Sequence, residues 1–319
     1  MKRSVSVVVP SYDDRDLLAA HLPAVLAELE RRAAGDELIV VDDGAGGLVE
    51  WAAEHAPGAR VVERAENGGF AEAVASGVRA ARCELVFLMN PDVRPRAGFL
   101  EPLVAALADP DTAAAAPYVL LGGERASEES LSRLAWKRGF PLLELADHAF
   151  EAGDAAPPLP AAFALGGASL WRRADLVGEG ALDPLFVPFY FEDVDRSWRA
   201  WRAGRRVVVC PSSVVEHHHR GTIGRAVPRS IVRAAIEKNR LLFTWKHVDD
   251  AARMREHLDG LRARLFAAAA REDRESIIWL CLALQELDAA LAARNELPPP
   301  VAGFDELRRA SDAGLAPLR

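Results

Sequence analysis

Cysteine is scarce in this chain of 319 residues: Cys83, Cys210 and Cys281 lie far apart and no two form a C-x-x-C pair. That excludes a disulfide framework and a cysteine zinc site, and it points to a reducing compartment. Excess positive charge is lacking too. With 39 basic against 47 acidic residues the net charge is -8, so no global positive field exists to hold nucleic acid, and no nucleic-acid partner is expected. No apolar run approaches the roughly 18–20 residues that span a bilayer. Met1-Lys2-Arg3 passes directly into the strand-length SVSVVVP rather than into the apolar core of a signal peptide. The expectation is a cytoplasmic protein, with peripheral contact at the inner face of a membrane left open. What is present is ordinary globular composition, 50% hydrophobic and 27% charged, which excludes disordered, collagen-like and coiled-coil chains. The length suits one large α/β domain or two modest ones.

Strand and helix patterns alternate over the first 120 residues. Ser4–Pro10 is apolar and β-rich, and Asp16–Ala33 carries Leu18, Leu22, Val25 and Leu29 at helical spacing. The strand runs Glu37–Val41, Ala59–Glu63 and Glu84–Asn90 follow, separated by helical patterns at Leu48–His55 and Phe70–Ala81. A β-α-β-α-β-α-β order implies a mostly parallel sheet with helices on both faces and ligands beyond the carboxyl ends of the strands. A helix over Ala97–Leu107 and a strand over Thr112–Leu121 come next, and Gly122–Pro160 reads as a variable loop or insertion. Order returns with GGASLWRR (Gly166–Arg173), the aromatic run Leu185–Phe191, a helix from Glu192 to about Ala203 and a strand over Arg206–Pro211. From Pro228 the chain reads as helical in four segments, broken near Asp250, Asp273 and Pro298–Pro300. The division expected is 1–227 for the α/β unit and 228–319 for a helical region.

The polar clusters sit behind the strands. Pro10-Ser11-Tyr12-Asp13 is no G-x-G-x-x-G turn, which argues against a dinucleotide site. Asp42-Asp43-Gly44 places carboxylates where they can accept hydrogen bonds from a base or ribose, or form a plain turn. Asn90-Pro91-Asp92 is another common turn sequence, yet Asp92 there can reach a divalent cation held mainly by substrate phosphates. Glu192 and Asp193 follow an aromatic run at a helix start. Carboxylates beside an aromatic wall are candidates for base chemistry, and the helix dipole favours their ionised form; simple capping is the alternative. Arg199 can pair with Asp195 at i+4 spacing, a structural contact. His217-His218-His219 offers imidazole for a metal, and Arg220 and Arg225 offer contacts to phosphate oxygens. The Gly166-Gly167 pair permits close backbone approach to a ligand, or plain packing. Pro228–His247 mixes apolar and basic residues at helical spacing and reads either as a membrane-surface helix or as one packed on the α/β unit. The last helices read as a packed bundle or a homo-oligomer contact.

Taken in order, SVSVVVPSYDD, ELIVVDDGA, ENGGFAEAVASGVRAA, ELVFLMNPDV, GGASLWRR, FYFEDVDRSWRAWRAG and VVEHHHRGTIGR resemble family 2 glycosyltransferases of the GT-A fold, closest to the bacterial rhamnosyltransferase-like branch. The resemblance covers about residues 4–248. It implies an inverting, metal-assisted transfer from a UDP-, dTDP- or GDP-sugar to a hydroxyl of a polysaccharide, cell-surface glycan or lipid-linked glycan, with Mg²⁺ or Mn²⁺. It further implies that Pro10, Ser11, Tyr12, Asp42 and Asp43 line the nucleotide pocket, and that Asn67, Gly69 and Phe70 belong to the donor-contacting turn. Asn90 and Asp92 stand where the family has its Asp-x-Asp motif, Gly167 beside the donor sugar, and Asp193 where it has the base, with Glu192 supporting. His217 or His219 completes the metal site. Asn90 departs from the strict motif, and Ala73 and Ser76 replace the Gly and Asn common after the N-x-G-F turn. Those departures motivate the alternative of a catalytically silent nucleotide-sugar or glycan-binding module. A sugar nucleotidyltransferase is disfavoured because PSYDD is neither Gly-rich nor basic.

Overall fold

The computed structural model describes residues 3–121, 127–128, 130–145, 151–178, 181–218 and 227–312. Strands β1 (Val5–Ser11), β2 (Glu37–Asp42), β3 (Arg60–Glu63) and β4 (Leu85–Met89) pair in parallel in the order β4-β1-β2-β3. Their near-continuous apolar sequences follow from burial on both faces. Alternation along β1 decides the partners: Val8 joins one core with Ala73, Val74 and Val78 of helix α3 (Gly69–Ala80). Val5, Val7 and Val9 join another with Leu18, Leu22 and Val25 of α1 (Arg15–Arg32). Helices therefore cover both faces, as the alternating pattern implies. The short α2 (Leu48–His55) links β2 to β3. In α3, Gly77 lies so close to β1 that a Cβ would stand 2.3 Å from the Val8 side chain, which requires glycine there.

Beyond β4 the sheet becomes mixed. Strand β5 (Val93–Pro95) precedes α4 (Leu100–Ala106), and β6 (Thr112–Leu121) and β11 (Ala168–Arg172) extend the sheet, with β11 antiparallel to both β4 and β6. After α5 (Glu192–Arg202), β12 (Arg206–His217) runs parallel to β6 and antiparallel to β5. A strand ending at Pro211 was expected; a register shift between Cys210 and Val214 absorbs the proline and carries the strand six residues further. That extension brings His217 opposite Val93.

The stretch read as a loop contains strands. β7 (Ser127–Glu128) pairs with β6 and β10 (Leu159–Pro160) with β12, while β8 (Ser132–Lys137) and β9 (Phe140–Leu145) form a separate hairpin. Its turn is Arg138-Gly139, both at positive φ, as a two-residue hairpin of this hand demands. Arg-Gly is a weaker sequence signal than Asn-Gly, and the hairpin draws its stability from packing: a Cβ on Gly139 would stand 2.4 Å from the Glu256 carbonyl oxygen.

Among the described residues five helices, not four, follow residue 227: α6 (Arg229–His247), α7 (Ala251–Ala270), α8 (Arg274–Gln285), α9 (Leu287–Glu296) and α10 (Phe304–Asp312). Asp250 and Asp273 accept from the Arg253 and Ser276 N–H groups and so cap α7 and α8. The extra break falls at Glu286, where α8 and α9 bend by 51°. No single helix among the described residues is long and apolar enough to cross a membrane; only the bent pair α8–α9 meets the test together. Helix α6 spends its apolar face on the protein interior. Leu241, Leu242 and Phe243 lie in the same core as Val8, Trp198 and Trp279, while Ile231 near its start is half exposed.

Candidate active site

Asp42 and Asp43 terminate β2, and they do different things. Asp42 Oδ1 accepts from the Ala45 and Gly46 N–H groups (2.9 and 3.2 Å), while its buried Oδ2 has no hydrogen-bond partner among the described residues. A buried carboxylate oxygen without a donor is free to accept from a ligand N–H or O–H. Asp43 is already committed. Its Oδ1 accepts from Arg64 Nε (2.7 Å) and the Gly68 N–H (3.1 Å), and its Oδ2 from the Gly69 N–H (2.9 Å). It thus pins the turn 67–70 at the N-terminus of α3, a supporting place in the nucleotide pocket assigned to it. Asn67 accepts from the same Gly69 N–H at 3.0 Å. At the end of β1, Pro10 and Ser11 are buried in register with Val41 and Asp42, and Tyr12 is exposed at the mouth of the crevice.

The Gly166-Gly167 turn joins this side to the carboxylate pair. A Cβ on Gly166 would stand 3.3 Å from both the Phe70 ring and Asp193 Cβ; one on Gly167 would stand 2.4 Å from the Asn90 amide. The Asn90 N–H donates to the Gly167 carbonyl at 2.8 Å. A side chain at 167 would displace Asn90, and one at 166 would crowd Phe70 and Asp193, so the glycine pair lets four separated segments meet.

Asp92 is buried, and its Oδ1 lies 3.3 Å from His217 Nε2. Two donors on adjacent positions of one small divalent cation, with bonds of about 2.1 Å, sit about 3 Å apart, so the pair fits such an ion. No group of three or more His, Cys, Asp or Glu side chains among the described residues is placed to hold a metal. Any further ligands would come from phosphate oxygens or water, the usual arrangement for a hard cation at a phosphate site. His218 turns away and stacks on His21 of α1 (5.4 Å, 12°), whose Nδ1 is 2.7 Å from the Pro91 carbonyl. His219, Arg220 and Arg225 lie outside the described residues.

Glu192 and Asp193 open α5. The residues before them, Tyr190 and Phe191, adopt left-handed φ of 70° and 78°, a conformation that costs a non-glycine residue about 1–3 kcal/mol. Asp193 Oδ2 accepts from the Gly166 N–H at 3.0 Å and Oδ1 from the Val194 N–H at 2.8 Å. Burial raises the Asp193 carboxyl above the usual range despite those two donors. Burial, with the like charge of Asp193 beside it, pushes Glu192 up to about 8, and its Oε2 has no partner among the described residues. At about 8, Glu192 favours its protonated form at neutral pH.

Asp195 is fully buried. Arg199 Nε donates to it at 2.9 Å, as the i+4 spacing anticipates, and Lys246 Nζ and His247 Nε2 of α6 reach it at 2.6 and 2.7 Å. Despite its burial, these three neighbours hold Asp195 well below the usual carboxylate range. Burial depresses His247 to about 4, so it is a neutral ring with Nε2–H directed at Asp195. Lys246 also reaches Asp183 at 2.6 Å. Lys246, His247, Arg64 and His21 are contributors that reading the sequence did not single out. The available signal was polar residues on the apolar side of α6.

A sheet of this order, with a carboxylate–histidine pair and a buried acidic pair gathered at one edge, is the GT-A architecture of glycosyltransferases. The chain belongs to glycosyl transferase family 2, whose model matches residues 6–176. It is 30% identical over 227 residues to the pre-mycofactocin glycosyltransferase of Mycobacterium tuberculosis, an alignment covering 68% of this chain and 43% of that protein. It is 24% identical over 225 residues to mouse polypeptide N-acetylgalactosaminyltransferase 6, covering 66% of this chain and 36% of that protein. The aligned part thus spans less than half the length of these relatives. Among solved structures, GalNAc-T7 with UDP, GalNAc and Mn²⁺ superposes with a TM-score of 0.66 at 16% identity, over 93% of this chain and 59% of that one. Staphylococcus aureus TarS 1–349 in complex with UDP-GlcNAc gives 0.57 at 16% identity, over 97% and 88%.

Proposed function

We propose that the protein is an inverting glycosyltransferase that moves a sugar from a nucleotide-diphosphate donor to an acceptor hydroxyl, with Asp193 as general base. One observation carries this reading. Asp193, its carboxyl raised by burial, is fixed by the Gly166 N–H beside the turn that also meets Phe70 and Asn90. A base whose affinity for protons lies above that of a free aspartate suits abstraction from a hydroxyl near neutral pH.

The acceptor oxygen attacks the anomeric carbon as its proton passes to Asp193. The carbon–oxygen bond to the acceptor forms while the bond to the diphosphate breaks, and the anomeric configuration inverts without a covalent intermediate. Asp42 Oδ2 would accept from the nucleotide base, and neutral Glu192 would donate to a substrate oxygen. Asp92 and His217 would hold a divalent cation, Mg²⁺ or Mn²⁺, whose charge offsets that gathering on the departing diphosphate. The complexes of the fold neighbours with UDP and Mn²⁺ and with UDP-GlcNAc support the donor class and the ion.

We assign the chain to the rhamnosyltransferase-like branch on the order of its motifs, acting in polysaccharide or cell-surface glycan synthesis. The three cysteines are free, which supports a cytoplasmic setting. An apolar cavity of about 390 Å³, walled by Pro188, Ile231, Ala234, Ile278, Trp279 and Leu282, abuts the loop that leads to Asp193 and supports an acceptor with an apolar portion, such as a lipid-linked glycan.

The test is thermal stability against UDP-, dTDP- and GDP-sugars with and without Mn²⁺ or Mg²⁺. A ligand at a hundred times its dissociation constant adds about 2.7 kcal/mol. A metal-dependent rise with one nucleotide, lost in Asp92→Ala, is the expected result. Donor binding without acceptor-dependent turnover would instead establish the silent binding module, and no rise with any donor would overturn both readings.

A further inference from the structure

We propose that Asn239 is a positioning residue for the base, holding the Phe186–Phe191 loop in the one shape that presents Asp193. The inference rests on the reading of Asp193 as general base. Asn239 lies on α6, far from the acidic pair in sequence, and is fully buried. Its single Nδ2 lies within hydrogen-bond distance of three carbonyl oxygens of that loop: Phe186 at 2.8 Å, Phe189 at 3.0 Å and Tyr190 at 2.8 Å. The preceding residue, Lys238, donates from Nζ to the Val187 carbonyl at 2.6 Å. Two adjacent α6 side chains thus gather four of the five carbonyls from Phe186 to Tyr190.

This loop cannot hold its shape unaided. Its backbone is tied at the two ends, by Val187 N–H to the Pro184 carbonyl and by Asp195 N–H to the Phe191 carbonyl, and it closes on two consecutive non-glycine residues at positive φ, Tyr190 and Phe191. Such a conformation persists only where its surroundings over-determine it. The buried amide supplies that constraint, because three carbonyls of the loop converge on the one donor group. The far side of the acidic pair is held from the same helix. Lys246 and His247, two turns beyond Asn239, grip Asp195, so α6 brackets Glu192-Asp193 from both directions. The side chain of Asn239 touches neither Asp193 nor Gly166; it acts through the backbone, and its effect is on where the base stands rather than on donor binding.

The experiment compares the full chain with Asn239→Ala and Asn239→Ser by two readouts. In the first, amide hydrogen exchange over residues 186–193 accelerates at least tenfold in Asn239→Ala, while β1, β2 and β4 keep their protection. In the second, turnover falls at least tenfold while the stabilisation by nucleotide is unchanged, and Asn239→Ser, which retains one donor, recovers part of both. A general loss of structure would instead move exchange, nucleotide binding and turnover together. Unchanged exchange over 186–193, or a loss of nucleotide binding in step with turnover, overturns the proposal. Asp193→Asn separates the two claims: if it retains turnover, the base assignment fails, and the exchange readout still decides whether Asn239 holds the loop.

Discussion

The proposed donor side and the proposed base side of this site are built in different ways. On the donor side the key side chains are held from nearby in the chain: Asp42 by Ala45 and Gly46, and Asp43 by Arg64, Gly68 and Gly69, at most 26 residues away. On the proposed base side the loop and Asp195 are held by Asn239, Lys246 and His247, 49 to 53 residues away. A parallel sheet with short turns lets each strand end carry its own ligand group, so the donor side can be assembled piecemeal. The base has no such frame. Asp193 opens α5 directly after an irregular loop, and that loop is fixed by a helix arriving from outside the sheet.

The contrast can be broken or sharpened by substitution. The largest effect expected is on turnover in Asp193→Asn, which should fall by about 10²–10⁴-fold with nucleotide binding intact; a steady-state assay with a donor-binding control checks it. Next is Asp195→Ala. Removing the shared carboxylate of a buried ion cluster takes its counter-charge from Arg199 and leaves Lys246 only Asp183, and should cost about 3–5 kcal/mol, read by urea denaturation. A smaller effect should appear with pH. His247 is depressed to about 4 in the folded chain, so between its ordinary value near 6.5 and about 4 the unfolded chain binds the extra proton. Stability contributed by the neutral ring is therefore complete above about 6.5 and lost as pH falls through that window. The midpoint of thermal unfolding should drop by several degrees there, with His257 acting in the same direction, and His247→Gln should flatten the profile. Asp195 is depressed, so its own contribution is lost only below the ordinary aspartate range, near 3.9. The smallest effect expected is in Asp43→Ala, at about 1–3 kcal/mol, because Arg64 keeps Ser76 and the nearby Glu72 as partners. A ranking that placed Asp43 above Asp195 in stability would erase the distinction between the two sides.

Legibility in the sequence follows the same line. Asp42, Asp92, Asp193 and Gly167 stand at strand or helix ends where short sequence motifs place them, and they can be read without coordinates. Asn239, Lys246 and His247 lie within an ordinary helical pattern, and nothing local distinguishes a buried amide aimed at a loop from a solvated one. The β8–β9 hairpin was missed for a related reason: its turn is fixed by contact with Glu256, more than a hundred residues away.

By itself the sequence determined the alternation of strands and helices, because apolar period and turn chemistry are local properties of a chain. It also determined which residue types stand at the ends of the strands. Tertiary structure alone decided that Asp43 is spent on a turn while Asp42 keeps an open oxygen, that His217 rather than His218 faces Asp92, and that α6 turns inward to hold the base. Those outcomes depend on which distant groups compete for each buried hydrogen bond, and only the packed chain settles that competition.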